Sequence, residues 1–156
     1  MTDDYLGRML SVACEIAGAQ GATLFLVDGA VLRPYLIYKL PAEYIGGIGT
    51  VRVGEQCCGR AVGHKKPWVV TDMLTDPLFA DGRAGAEASP IRAAFSVPVM
   101  DGDTVVASLA CHFTEAHTPS DVDIERNEAF AKLFAIVLRA RVPLSMGEPL
   151  FVPVVA

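Results

Sequence analysis

The chain has 156 residues, of which 52% are hydrophobic and 20% charged, with a formal net charge of −5. This length suits one domain, and the apolar fraction is too high for a disordered chain and sufficient for one sizeable core. The acidic balance argues against nucleic acid as a partner. No apolar run reaches the roughly 18–20 residues that span a bilayer, so no membrane association is expected. The start, Met1-Thr2-Asp3-Asp4, is acidic where a secretory signal would be basic, which points to a cytoplasmic chain. Cys14, Cys57, Cys58 and Cys111 are then read as reduced thiols rather than a disulfide framework.

In chain order, Leu6, Met9, Leu10, Ala13, Ile16 and Ala17 form one apolar stripe, which predicts an amphipathic helix over 3–20 ended by Gly21. Thr23 to Val27 and Ala30 to Leu40 flank Asp28-Gly29, a strong hairpin signal. Pro34 places the second strand at an edge or at a bulge. Residues 41–55 hold Pro41, four glycines and a short strand around Val51, and are otherwise read as irregular. A short helix is expected from Gln56 to Gly63 and a strand from Trp68 to Thr71.

Residues 72–91 read as a long loop, with one or two helical turns at Arg83 to Ala88. Such a loop in a small domain is usually a lid or a binding loop. Arg92 to Met100 and Thr104 to Phe113 form a second hairpin around Asp101-Gly102-Asp103, its second strand apolar on both faces and so central. Thr118 and Pro119 predict the start of a last helix that runs to Arg141, with Phe130, Leu133, Phe134, Val137 and Leu138 as its stripe. Residues 1–142 are expected to form the domain. Residues 143–156 are an apolar, proline-containing tail, expected to pack Leu150, Phe151 and Val152 against protein.

Gly54-Glu55-Gln56-Cys57-Cys58-Gly59-Arg60-Ala61 resembles the G-x-x-S-C-G-x-A turn of the GAF domain. Val69-Val70-Thr71-Asp72-Met73 and Asp76-Pro77-Leu78-Phe79 resemble its V-x-D-I and D-P-L-W segment. Ile91-Arg92-Ala93-Ala94-Phe95-Ser96-Val97-Pro98-Val99 resembles its L-R-A-x-x-S-x-P-I strand. The resemblance covers residues 3–141. It implies an α+β, PAS-related antiparallel sheet, with the terminal helices on one face and a ligand pocket on the other under a loop and short-helix lid. It also implies small-molecule sensing, passed through the terminal helices to a linked histidine kinase or other output domain.

Several family signatures are missing. The N-K-x-D-E set of cyclic-nucleotide binders is absent, as are the bilin-binding elements. Residues 72–92 hold neither the cysteine of free methionine sulfoxide reductases nor the histidine of haem binders. The cofactor is therefore unassigned, and the expectation is sensing of an unidentified small molecule without catalysis.

The candidate ligand residues are Cys57, Cys58, Gly59, Asp72, Phe79, Arg92, Phe95, Val97, Cys111 and His112. Cys57 and Cys58 open a short helix, where free N–H groups can lower a thiol pKa or hold an anion. A thiol redox switch or small reductase built on them is the alternative function. Buried packing of the turn is the plainer reading of Cys58. His112 faces either the pocket or the helices. Asp72 is a turn former as readily as a ligand, and Arg92 either clamps an anion or pairs with Asp72 or Asp76. His64, His112 and His117 have no zinc spacing. His117 and the Asp121, Asp123, Glu125 and Glu128 face are read as solvated. The apolar terminal helices predict a homodimer about a two-fold axis.

Overall fold

The computed structural model describes residues 2–141 and 152–154. Helix α1 spans Thr2–Ile16, and strands β1 (Gly21–Asp28) and β2 (Val31–Tyr38) form the first hairpin. Helix α2 (Ala42–Ile48), strand β3 (Val51–Arg52), helix α3 (Gln56–His64) and strand β4 (Trp68–Val70) follow. A 3₁₀ turn at Pro77–Gly82 leads into α4 (Arg83–Glu87). The second hairpin is β5 (Ala93–Asp101) and β6 (Thr104–Phe113), and α5 spans Asp121–Arg141. Strand β7 (Val152–Val154) completes the described chain.

The sheet runs β3-β2-β1-β6-β5-β4, antiparallel at every step of this path. β6 is central, as its apolar faces predict. β2 carries a bulge where Leu24 pairs with Leu36 and Phe25 with Pro34. Its outer edge is shared by β3 at Val31 and Leu32 and by β7, in parallel, at Leu36 to Tyr38. Pro34 falls between these two partners, where no ladder needs its missing N–H. The expected packing of Leu150 and Phe151 lies outside the described residues.

The main core lies between the sheet and the two long helices. Leu6, Leu10 and Ala13 of α1 and Ala131, Phe134 and Leu138 of α5 meet Leu24, Phe95, Val97 and Leu109 there. Two smaller clusters fill the opposite face under α2, α3 and α4, one around Tyr44, Met73 and Phe79, the other around Phe25, Val51 and Cys58.

Four expectations are corrected. α1 stops before Gly18, which takes the left-handed φ of +68° that ends a helix. Gly21 instead starts β1, where a Cβ would collide with Leu40 and the Tyr38 carbonyl. Residues 42–48 are helical although Gly46 and Gly47 each disfavour helix by about 1 kcal/mol against alanine. Burial of Tyr44 overrides that propensity. The cap of α5 is Ser120, whose Oγ accepts from Asp123 N at 3.1 Å while Asp123 Oδ2 accepts from Ser120 N at 3.2 Å. Leu133 faces outward, 49% exposed, so it is not part of the core stripe.

Candidate functional site

The turn entering α3 is shaped by backbone demands. Gly54 has φ +91°, Gln56 has φ +53°, and a Cβ on Gly59 would collide with the carbonyl of Arg52. These constraints explain the glycines of the motif and give Gly59 a packing role. The start of α3 is closed by the long loop. Gln56 N donates to Asp81 Oδ2 at 3.1 Å, and Arg60 pairs with the same oxygen at 3.7 Å.

Cys57 and Cys58 are buried behind this turn. The Ser96 hydroxyl lies between them, 3.3 Å from Cys57 Sγ and 3.4 Å from Cys58 Sγ. Cys57 donates to the Trp68 carbonyl at 3.5 Å. Burial pushes both thiols above their ordinary range, and for Cys57 the neighbouring Cys58 adds to the rise. Such thiols are poor nucleophiles at neutral pH.

His112 faces the lid side of the sheet. Its Nε2 is 3.2 Å from Thr23 Oγ1 and its Nδ1 is 3.1 Å from Tyr44 Oη. Gly21 pairs with His112 and Thr23 with Ala110, so Thr23 is its diagonal neighbour on the same face. The Tyr44 ring meets the imidazole edge-on, with centroids 5.3 Å apart. Burial lowers the His112 pKa from 6.5 to about 3 and pushes the Tyr44 hydroxyl well above its ordinary value.

Around this relay is a small cavity of about 10 Å³, room for about one water. Thr23 and Phe25 of β1, Tyr44 and Ile48 of α2, Val51, and Gln56 to Cys58 of α3 line it, together with Phe79 and His112. The structure thus brings Cys57, Cys58, Phe79 and His112 together.

The other candidates lie elsewhere. Phe95, Val97 and Cys111 face the terminal helices. Cys111 Sγ donates to Asn127 Oδ1 at 3.4 Å, because it alternates with His112 along β6. Asp72 Oδ1 accepts from Leu74 N at 3.0 Å and forms a turn. Arg92 pairs with neither Asp72 nor Asp76. Its Nη1 donates to the carbonyls of Ala86, Ser89 and Ile91 at 2.7–2.8 Å and fastens the end of α4. His117 is not freely solvated, because it stacks on Phe113 with centroids 4.0 Å apart. Thr23, Tyr44 and Gln56 were not foreseen. Only Tyr44, Ile45 and Ile48, at helical spacing, gave a signal. No cluster of three or more His, Cys, Asp or Glu able to hold a metal occurs among the described residues. No helix among them is long and apolar enough to cross a membrane.

An antiparallel sheet with terminal helices on one face and a small cavity under short helices on the other defines the class of the fold as α+β. The family model described as GAF domain matches residues 2–139, and the chain belongs to that family. The chain is similar to the GAF domain of a phosphoenolpyruvate-protein phosphotransferase from Coxiella burnetii. That pair shares 16% identity at a TM-score of 0.75, covering 89% of this chain and 83% of that one. It is also similar to a domain of a two-component sensor histidine kinase protein from Sinorhizobium meliloti, with 13% identity, a TM-score of 0.73 and coverage of 88% and 90%. No protein among the curated sequences matches it.

A third neighbour is the free methionine-R-sulfoxide reductase of Neisseria meningitidis. It shares 18% identity at a TM-score of 0.66, covering 85% of this chain and 78% of that one. This finding corrects the expectation of a chain without catalysis. The fold is also an enzyme scaffold, and the fold alone gives no ground for excluding a reaction.

Proposed function

We propose that the chain is the small-molecule-sensing regulatory domain of a bacterial signal-transduction protein, of two-component or second-messenger type. Its output is conformational, carried by α1 and α5 to a linked histidine kinase or other output domain. One observation carries this reading: adjacent residues of β6 reach both sides of the sheet. His112 touches the cavity relay, while Cys111 meets Asn127 of α5 and lies 3.9 Å from the Ala13 carbonyl of α1. A change at the cavity that moves this strand therefore reaches the terminal helices directly.

The helices themselves favour a homodimer. Tyr5, Met9, Val12 and Ile16 of α1, and Ala129, Leu133, Ile136 and Ala140 of α5, follow the three–four spacing of a helical seam, with Val122 one heptad before Ala129. All but the half-buried Met9 are exposed, and such a stripe is usually covered by a partner.

The test is native mass spectrometry of freshly purified protein, paired with amide exchange across α1 and α5. A bound small molecule, and slower exchange in these helices when it is present, are expected. A chain that carries and responds to no small molecule refutes the reading.

A further inference from the structure

The cavity floor has the parts of a ligand site, but the chain itself fills it. We infer that Tyr44 is an internal plug, and that the site takes an uncharged single-ring aromatic bearing one hydroxyl or ring N–H. Such a ligand displaces the Tyr44 ring and takes over its hydrogen bond to His112. This rests on the sensory reading of the same pocket.

Charge is the first argument. No Lys, Arg, Asp or Glu lines the cavity. Arg60, on the same helix as Cys57, is not part of that lining; its Nη2 lies 3.7 Å from Asp81 Oδ2. A carboxylate or phosphate would enter this site unpaired, which burial strongly opposes.

The second argument is the floor's hydrogen bonding. Neutral His112 carries one N–H, and its two ring nitrogens face the hydroxyls of Thr23 and Tyr44. Each hydroxyl can donate or accept. With Thr23 donating to Nε2, Nδ1–H is left as a donor. With Thr23 accepting from Nε2–H, Nδ1 is left as an acceptor. The floor thus accommodates either polarity of a neutral head group.

Shape is the third argument. Tyr44 is fully buried in one cluster with Phe79 and Met73, so the space its ring occupies is a flat apolar slot ending at His112. A free phenol repeats the plug's own chemistry.

The last argument is that the plug is removable. α2 has seven residues, no side-chain cap and two glycines, and ends at Gly49 with φ +60°. It meets α4 backbone against backbone at Gly47 and Gly85, and through the cluster of Tyr44, Ile45 and Ile48 with Ala86. A helix this short is held by its packing rather than by itself, so a ligand that replaces the Tyr44 contacts can release it.

The experiment is calorimetric titration of the full chain with phenol and with sodium benzoate at pH 7, alongside nitrogen-15 NMR of the His112 ring. Phenol should bind the wild type weakly and shift the His112 resonances. Y44A should bind it at least tenfold more tightly, because no plug competes. Y44F, which keeps the ring but loses the hydrogen bond, should fall between them and serves if Y44A does not fold. Benzoate should bind at least tenfold more weakly than phenol.

Phenol affinity unchanged by both substitutions overturns the plug. Benzoate matching phenol while shifting His112 overturns the ligand class and leaves the sensory reading standing. Phenol that binds nowhere, or only in the open cleft of about 350 Å³ lined by Gln20, Phe113 and His117, overturns the inference. The native mass spectrum judges the sensory reading separately.

Discussion

Acidification tests the relay most directly. His112 is fully buried and neutral, with its pKa lowered from 6.5 to about 3 by desolvation. Unfolding returns it to water, where it binds a proton below 6.5. Between pH 6.5 and 3 the unfolded state therefore holds more protons, and stability is lost as pH falls through that window. The loss is about 1.4 kcal/mol per pH unit, or roughly 2.7 kcal/mol by pH 4.5. Domains of this size are stable by only about 5–15 kcal/mol, so the effect is large.

Acidic side chains titrate in the same range, so the reading must be differential. Urea unfolding of the wild type and H112Q, from pH 7.5 to 4.5, isolates the histidine. The wild type should lose stability relative to H112Q below pH 6.5 with the slope given, and the difference should be flat above it. NMR of the folded wild type should show an imidazole that does not titrate between pH 7 and 5. A difference independent of pH, or an imidazole titrating near 6, would refute the reasoning.

Four further outcomes follow from the geometry. Gly59→Ala drives a Cβ into the Arg52 carbonyl and should remove roughly 2–3 kcal/mol in thermal or urea melts. Gly29→Ala, at φ +63° with open space around it, should lose only about 1 kcal/mol. Cys57, Cys58 and Cys111, all buried with raised pKa values, should resist maleimide at pH 8 in the native protein and react in urea; rapid native labelling of Cys57 or Cys58 would restore the thiol-switch alternative. Leu133→Lys combined with Ile136→Lys, both on the exposed seam of α5, should convert a dimer to a monomer by light scattering while leaving far-UV circular dichroism unchanged.

Much of the fold was readable because its signals are local. The β5–β6 hairpin announces itself by its turn residues and the α5 stripe by periodicity except at Leu133, and Pro34 marks the bulge of β2. Helix α2 was not legible, because Gly46 and Gly47 dilute the pattern to Tyr44, Ile45 and Ile48. The site divides along the same line. Cys57, Cys58, Phe79 and His112 carry distinctive chemistry near recognisable turns. Thr23 joins the cavity lining only through the β1–β6 register, which no single segment encodes. Arg92 misled for the opposite reason. Its charge suggested an anion, yet the open carbonyls at the end of α4 are partners made by its own neighbours.

The contact between Gly47 and Gly85 has one more consequence. A Cβ on Gly47 would stand 2.9 Å from the Gly85 Cα, backbone against backbone, with no flexible side chain to yield. Any larger residue there is a wedge between α2 and α4. Single substitutions at this spot would hold the lid ajar while every group that lines the cavity keeps its identity. The domain therefore carries, beside the cavity wall at Ile48 rather than in it, a position at which one methyl group shifts α2 against α4.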